Sequence, residues 1–415
     1  MATLQTWIAM PASPRHAPPL RFLIVATLIL ALLHAYIGLR LLPYLPVPDW
    51  VRGLGIAWLI FSWLVLPLTL LSRFIRHRGL ADALGWVGAL TMGLFSSLLV
   101  FTALRDGFIA LVWLLLPERF EPDAVVWSAV AVPLLALLMT LIGFLNARRR
   151  ARIVEISIPL AGLPPALHGF TIVQISDIHV SATIKRGYLN AIVDAVNALE
   201  PDLIAVTGDV VDGRVAQLAA HTAPLANLKA RHGAFFVTGN HEYYSGEAEW
   251  SAEFARLGLI VLKNRHQVLE HQGASLVIGG VTDYRADQFV PQEASDPHAA
   301  LAGAPTDAAV RILLAHQPRS AEAAATAGFD LQLSGHTHGG QFWPWNYFVR
   351  LQQPYVAGLH RHGKMWVYVS RGTGYWEPPK RLGAPSEITR LRLVSAPPDS
   401  YRPGTADYDH NSSGA

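Results

Sequence analysis

The 415-residue sequence contains no cysteine. Disulfide bonds, cysteine-based phosphatase chemistry and thiolate metal sites are therefore excluded, and any bound metal must use His, Asp, Asn or Glu. Charge is also scarce, because 15% of the residues are charged and 52% are hydrophobic. The formal net charge of +3 gives no support for a nucleic-acid-binding surface, so no nucleic acid is expected as a partner. The length allows two or three domains.

Long uncharged stretches are concentrated before about residue 146. Four of them are long enough to cross a hydrocarbon core of about 30 Å: 22–39, 53–71, 83–104 and 124–145. A cleaved signal peptide is an alternative for the first, but its length and the absence of a small-residue cleavage site favour a membrane helix. The shorter stretch 107–116 predicts an interfacial or re-entrant helix. His34 is predicted to make a polar contact between helices.

These stretches predict an N-terminal tail over 1–20 and a transmembrane region of about four helices over 21–147. Arginines cluster before the first stretch, between the second and third, and after the last: Arg15, Arg21, Arg73, Arg76, Arg78, Arg148, Arg149, Arg150 and Arg152. The positive-inside rule then predicts an integral membrane protein with both termini and the second half of the chain in the cytoplasm. If 107–116 also crosses, that half lies outside.

From about Ile153 apolar runs of strand length alternate with helical stretches. Strands are predicted at 170–175, 203–206, 234–237, 276–280, 311–314, 331–333, 366–369 and 388–393, and helices at 186–199, 215–230, 247–257 and 321–327. This order predicts an α/β domain over 153–395 with extra antiparallel strands late in the chain. The stretch 396–415, rich in Pro, Ser, Asp and Gly, predicts a disordered tail.

Polar clusters follow five of the strand-like runs, and sites in α/β sheets form beyond the carboxyl ends of strands. The candidate metal ligands in these clusters are Asp177, His179, Asp209, Asn240, His316, His336 and His338. Asp, Asn and the neighbouring Gly residues also favour turns, so no single one of these ligands is decisive. Seven ligands exceed the needs of one tetrahedral ion but fit two divalent ions that share a carboxylate, and sulfur-free ligation suits Mn, Fe or Zn. Such a pair of ions suits in-line phosphoryl displacement.

Three other polar residues lie within the same clusters. His241 is the candidate catalytic residue, because an imidazole near a scissile phosphate can protonate the leaving alcohol or stabilise its charge. A role as a ligand or an orienting group is the alternative for His241. Asp212 is predicted to form a hydrogen bond or to cap a helix before Val215, and Glu242 to form a loop hydrogen bond.

The five clusters, in this order, resemble the motifs of the calcineurin-like metallophosphoesterases. They are Asp177-x-His179, Gly208-Asp209-x-x-Asp212, Gly239-Asn240-His241-Glu242, His316 and Gly335-His336-x-His338. The resemblance covers roughly 153–395. The run 335–341, together with 370–374 and 385–388, is similar to a bacterial membrane-associated branch of phosphoesterases. This similarity implies a location in a bacterial inner membrane.

The resemblance implies a four-layer α/β/β/α sandwich with two mixed sheets. One metal would be held by Asp177, His179, Asp209 and His338. The other would be held by Asn240, His316 and His336, with Asp209 bridging the two. His241 would be the acid or charge stabiliser, and a metal-bridging hydroxide would attack the phosphorus without a covalent enzyme intermediate.

The expected function is that of a membrane-anchored phosphoesterase acting on a phosphate monoester or diester. A site beside the bilayer favours a phospholipid or lipid-linked substrate, and the aromatic group at 342–348 either contacts an acyl chain, rests at the interface or packs as an ordinary loop. Arg371 and Arg381 either pair with a substrate phosphate or form structural contacts. The alternatives are a phosphodiesterase for a soluble nucleotide, a non-catalytic binding module, or the output domain of a transporter or sensor. The oligomeric state stays open.

Overall fold

The protein is described from a computed structural model that covers residues 20–69, 75, 77–119 and 121–396. The predicted tails, 1–20 and 396–415, lie almost entirely outside the described residues, as do Arg15, Arg73 and Arg76. The chain divides into two compact units. One comprises Met1–Leu71 and Phe95–Leu135, and the other comprises Ser72–Leu94 and Ala136–Ala415.

Four long apolar helices open the described chain. They are α1 (Leu20–Leu41), α2 (Asp49–Thr69), α3 (Arg78–Leu115) and α4 (Pro122–Arg148). All four are long and apolar enough to cross a membrane, which confirms the predicted number. The Nε2 atom of His34 on α1 lies 2.9 Å from Ser62 Oγ on α2, which is the predicted polar contact between helices.

The prediction of a separate short helix at 107–116 is wrong, because α3 is one continuous helix of 38 residues. The sequence suggested a break at the charged pair Arg105-Asp106. In the structure Asp106 accepts hydrogen bonds from Tyr36 (2.8 Å) and Arg40 (2.7 Å) of α1, and Arg105 Nη1 lies 2.9 Å from its other oxygen. Asp106 is thus paired with Arg40 and Arg105, so the charged pair is accommodated without a break in the helix.

The second unit contains two six-stranded sheets. The first has the order β1 (Arg152–Ala161), β12 (Glu387–Ala396), β2 (Thr171–Ile175), β3 (Leu203–Val206), β4 (Ala234–Phe236) and β5 (Ile260–Val261). The second has the order β10 (Gly358–His362), β11 (Met365–Val369), β9 (Leu331–Ser334), β8 (Val310–Leu314), β7 (Ala274–Gly280) and β6 (Arg265–His271). Both sheets mix parallel and antiparallel neighbours, which confirms the predicted fold.

Seven further α-helices lie in the described part of the second unit, and several of them pack against the outer faces of the sheets. They are α5 (Arg186–Asn197), α6 (Val215–Thr222), α7 (Asn240–Ser245), α8 (Glu247–Arg256), α9 (Pro297–Leu301), α10 (Ala321–Ala327) and α11 (Trp345–Val349). On β2, Ile172 packs into the core between the sheets, whereas Val173 and Ile175 pack against the helices of the first sheet. This alternation follows from the two-residue period of a strand that is buried on both faces.

The carboxyl ends of the parallel strands meet where the two sheets are joined by polar contacts. Gln174 on β2 donates through Nε2 to Thr207 Oγ1 (2.8 Å) after β3 and to Ser334 O (2.9 Å) at the end of β9. The strand ends of both sheets are thereby held together. The polar clusters found in the sequence follow these strand ends directly.

Candidate metal centre

One cluster joins the loop after β2 to the loop after β9. His179 Nε2 lies 3.0 Å from His338 Nε2, and His338 Nε2 lies 3.4 Å from Asp177 Oδ1. All three side chains are buried and offer donor atoms close enough to hold one metal ion. The structure thus brings together Asp177, His179 and His338, although about 160 residues of chain separate the first two from the third.

A second cluster draws on both sheets. His316 Nε2 lies 3.0 Å from Asp209 Oδ2 and 3.1 Å from His336 Nδ1. Asp209 follows β3, His316 follows β8 and His336 follows β9. Their donor atoms also lie within the reach of one ion.

Asn240 begins α7 beside the second cluster and is 7% exposed. Its Oδ1 is buried and has no hydrogen-bond partner among the described residues. A buried carbonyl oxygen without a partner is uncommon and costs free energy unless something binds it. A divalent cation would satisfy this oxygen, and the His, Asp and Asn donor set suits Mn, Fe or Zn. The residues therefore fit a metal centre.

The Nδ1 atoms of His179 and His316 each lie within hydrogen-bonding distance of an oxygen acceptor. His179 Nδ1 lies 2.9 Å from Asp212 Oδ1, and His316 Nδ1 lies 2.8 Å from the carbonyl oxygen of Thr207. Because a carbonyl or carboxylate oxygen accepts, each Nδ1 is the protonated nitrogen. Nε2 then presents its lone pair to the site, which is the arrangement a metal-binding histidine needs.

His241 shares the Asp212 carboxylate. Its Nδ1 lies 2.6 Å from Asp212 Oδ1, and its backbone N–H donates to Asp209 Oδ1 at 2.9 Å. Burial alone would lower the pKa of His241, but the charges of Asp209 and Asp212 raise it to about 10. Asp212 therefore acts as a hydrogen-bond acceptor for two histidines, as the sequence predicted, and His241 retains Nε2 for proton transfer.

Glu242 ties two loops of the site together. Its carboxylate accepts N–H bonds from Gly239 (2.7 Å), Asp209 (2.9 Å) and Val210 (2.8 Å). Burial and then the charge of Asp209 raise its pKa to about 8, against the effect of these donors. The predicted loop hydrogen bond is thus a three-way contact that fixes Asp209 and Asn240 relative to each other.

Five of the seven candidate ligands have left-handed backbone conformations. The φ angles are 52° at Asp177, 55° at His179, 52° at Asp209, 70° at His336 and 51° at His338. Positive φ is uncommon for residues other than glycine. Unfavourable backbone conformations that persist in a folded protein concentrate at functional sites, where the surrounding structure enforces them. This feature cannot be read from the amino-acid types.

Two glycines allow the carboxylates to approach the backbone. A Cβ on Gly335 would lie 2.1 Å from Ser176 Oγ and 2.2 Å from Asp177 Oδ2. A Cβ on Gly239 would lie 2.2 Å from Asp209 Oδ1. Glycine at these two positions makes room for the side chains of the candidate ligands.

The two arginines considered as phosphate-binding residues make structural contacts. Arg371 Nη1 lies 2.9 Å from Glu387 Oε2. Arg381 is completely buried, and its Nη2 lies 3.1 Å from His338 Nδ1. The contact between Arg381 and His338 was not predicted, because the two residues are separated by 43 positions that include two strands.

Two aromatic side chains lie beside His241, and a further aromatic group lies at 342–348. The His241 ring lies 5.2 Å from that of Tyr244 and 5.5 Å from that of Trp376, which is 51% exposed. Within the aromatic group at 342–348, Phe342 is buried, whereas the other aromatic residues are exposed: Trp343, Trp345, Tyr347 and Phe348. The packed-loop alternative therefore holds only for Phe342.

Comparison with known proteins places the chain in a family. The calcineurin-like phosphoesterase family matches residues 170–340. A Danio rerio protein described as a transmembrane protein with metallophosphoesterase domain is 35% identical over 326 residues, which cover 75% of this chain and 74% of that one. A Bos taurus protein of the same description is 38% identical over 280 residues, which cover 64% and 63%. An uncharacterized metallophosphoesterase of Campylobacter jejuni is 29% identical over 387 residues, which cover 90% and 98%. The chain is an integral membrane protein with four candidate spans, and it belongs to the calcineurin-like metallophosphoesterases.

Proposed function

We propose that the second unit hydrolyses a phosphate monoester or diester at a centre of two divalent ions. The observation that carries the proposal is the pair of adjoining clusters, with the buried, unpartnered Oδ1 of Asn240 beside one of them. Asp177, His179 and His338 would hold one ion, His316, His336 and Asn240 would hold the other, and Asp209 would bridge. The donor set suits Mn, Fe or Zn.

Bound divalent ions would activate a water molecule and neutralise charge on the phosphoryl group. The side chains around them do the positioning. Asp212 orients both His179 and His241, and Glu242 fixes the loop that carries Asp209. His241 Nε2 is the nitrogen available to donate a proton to the leaving alcohol, because its Nδ1 is engaged by Asp212.

We further propose a lipid-linked phosphate ester as the substrate. The support is the four apolar spans and the exposed aromatic side chains near the site, among them Tyr244 and Trp376 beside His241. Aromatic residues of this kind concentrate at membrane interfaces. The arginines Arg78 and Arg148–Arg150 favour a cytoplasmic location for the second unit.

The catalytic proposal is tested with the full chain in detergent, stripped of metal and reloaded with manganese. Hydrolysis of bis-p-nitrophenyl phosphate and p-nitrophenyl phosphate is measured for the parent, for Asp209→Asn and for Asp287→Asn, an exposed aspartate outside the site. The proposal requires manganese-dependent turnover that falls to background in Asp209→Asn and stays at the parent level in Asp287→Asn. Tight metal binding without turnover of any ester would instead favour a binding module.

The substrate proposal needs a separate comparison. Short-chain phosphatidic acid and phosphatidylglycerol in mixed micelles are compared with nucleotide monophosphates and cyclic nucleotides. We expect a higher kcat/KM for a lipid, and a Trp376→Ser variant that loses kcat/KM for that lipid while its hydrolysis of p-nitrophenyl phosphate is unchanged. Higher kcat/KM for a nucleotide would overturn the lipid assignment and leave the phosphoesterase intact.

A further inference from the structure

A loop formed by residues 376–382, here called the clasp loop, connects the metal centre to the membrane helices within the second unit. We propose that Arg381 of this loop is a positioning residue for His338, and that the backbone of α4 holds Arg381 in place. The ends of α3 and α4 that belong to this unit would then be part of the support of the metal centre. The inference rests on the proposed role of His338 as a metal ligand.

The Arg381 side chain is 0% exposed, and both of its terminal nitrogens have acceptors, whereas Nε has none among the described residues. Its Nη1 donates to the carbonyl oxygens of Arg371 (2.7 Å), His338 (3.1 Å) and Ala384 (3.1 Å). Its Nη2 donates to the carbonyl oxygen of Gly374 at 2.6 Å and lies 3.1 Å from His338 Nδ1. One guanidinium therefore contacts both the backbone and the ring of His338.

The shape of the guanidinium makes this contact directional. A guanidinium is planar and directs its N–H bonds along fixed lines, whereas an ammonium is a rotating point charge. With four carbonyl oxygens around it, the plane of the Arg381 guanidinium is determined. The same guanidinium binds the carbonyl oxygen of His338 at 3.1 Å, so it fixes the backbone from which the His338 side chain extends toward the proposed metal centre.

The backbone of Arg381 is bound by α4. The Arg381 N–H donates to Gly143 O at 2.8 Å, and Asn146 Nδ2 donates to Arg381 O at 3.2 Å. Both polar groups of the Arg381 backbone are thus held by one helix. The contact needs a glycine, because a Cβ on Gly143 would lie 2.6 Å from Lys380 Cγ.

The clasp loop also contacts α3. Lys380 Nζ donates to the carbonyl oxygen of Gly93 at 3.3 Å. A Cβ on Gly93 would lie 3.5 Å from Pro378 Cβ, which is an ordinary packing distance. The clasp loop is therefore bound by α3 and α4, and all of these residues belong to the same compact unit. A change on the helix surface should consequently alter ion binding without touching a ligand.

The experiment uses the full chain in detergent and manganese as the probe. The variants are Arg381→Lys, Gly143→Ala and the double variant Gly143→Ala with Lys380→Ala, which removes the atom that the new Cβ would meet. Gly107→Ala is the matched control, because a Cβ there meets nothing within 4 Å. Alanine favours a helix more than glycine does, so neither single glycine variant weakens its own helix intrinsically.

Manganese stoichiometry and affinity are measured together with the electron paramagnetic resonance spectrum of the loaded protein. We expect Arg381→Lys to bind one of the two ions about 10–100-fold more weakly and to lose the spectral features of coupled ions. Gly143→Ala should change in the same direction, and the double variant should recover part of the loss, since it relieves the Gly143 clash but also deletes the contact of Lys380 with Gly93. Gly107→Ala should match the parent.

The inference is overturned if Gly143→Ala binds manganese like Gly107→Ala, and this holds even if Arg381→Lys fails to fold. The inference is also overturned if a folded Arg381→Lys variant has the manganese affinity and the electron paramagnetic resonance spectrum of the parent. A parent protein that binds no metal, or a His338→Ala variant with two ions bound at parent affinity, would instead defeat the proposed metal centre.

Discussion

Asn240 differs from the other candidate ligands in having no titratable group and no partner for its oxygen. The imidazoles and carboxylates of the site satisfy one another in the described structure, for example His316 and Asp209 at 3.0 Å. The Asn240 Oδ1 is buried without such a contact. Of the seven side chains, it is therefore the one whose placement depends most directly on a bound ion.

Asn240→Ala should remove one of the two ions. The variant deletes the oxygen that would complete the second cluster, while Asp177, His179 and His338 are untouched. We expect manganese content to fall from about two ions to about one per chain, as measured by elemental analysis after gel filtration. Asn197→Ala is the control, because that side chain binds only the backbone of Asn227 and Lys229. Two ions retained in Asn240→Ala would contradict the assignment.

Metal affinity should rise with pH because of His316. Burial lowers the pKa of His316, but Asp209 raises it well above 6.5, so in the metal-free protein the imidazole holds a proton at neutral pH. An ion must displace that proton, and each proton released makes affinity rise up to about tenfold per pH unit below the pKa. Calorimetric titrations between about pH 6 and 8, in buffers of different ionisation enthalpy, measure the release. Equal manganese affinity at about pH 6 and about pH 8 would contradict this proton release.

The candidate ligands could be predicted from the sequence because Asp, Asn and His follow apolar runs in a recognisable order. Their backbone conformations could not, since the left-handed φ at Asp177 or His338 is imposed by the surrounding loops. Nor could Arg381, whose partners are mostly carbonyl oxygens that any residue type supplies. Chemistry carried by side chains is visible in a sequence, whereas contacts to the backbone are not.

At the scale of elements, the loop after β3 and the start of α7 form one piece through Glu242. One carboxylate oxygen accepts from both Gly239 and Asp209, and the other accepts from Val210. The two loops belong to neighbouring parallel strands, β3 and β4. The spacing of Asp209 and Asn240 therefore depends on a residue that would touch neither ion.

Glu242→Gln should loosen this connection. An amide replaces one oxygen with an N–H₂ group, so at least one buried N–H loses its acceptor, at a cost of about 1–3 kcal/mol. We expect a lower free energy of unfolding and weaker manganese binding, measured by denaturation and by titration. The control is Glu249→Gln on α8, where the glutamate is exposed. Unchanged metal affinity in Glu242→Gln would show that the loops are held by other contacts.

Several elements with strong patterns were predicted, but the strands β1, β5, β6 and β10 were not. The fully buried strands β2, β3 and β9 match their predicted positions closely. The strand β6 was missed, because its sequence Arg265–His271 is largely polar and it forms by pairing with β7. The unbroken α3 was also missed, since the ion network around Asp106 involves a helix remote in sequence. For both β6 and α3, tertiary contacts determine the secondary structure more than the local sequence does.

For the whole molecule, removal of metal should lower thermal stability. Chelation would remove the bound cations from the buried carboxyl groups of Asp177 and Asp209. At a free ion concentration about 100 times the Kd, each ion contributes about 2.7 kcal/mol, which corresponds to a Tm change of about 5–10 °C. Tryptophan fluorescence melts with manganese and with chelator measure the difference, and Asn240→Ala should show about half of it. A melt insensitive to chelator would contradict a metal centre.

The position of β12 has a consequence for how the protein is made. This last strand lies between β1 and β2 and pairs with both, although roughly 210 residues of chain separate it from β2. At about 5–20 residues per second, a ribosome needs about 10–40 s to make that stretch. Through this interval β1 and β2 have no partner between them. The first sheet can close only when synthesis reaches residue 396, so the nascent chain must hold two open strand edges apart from other polypeptides until then.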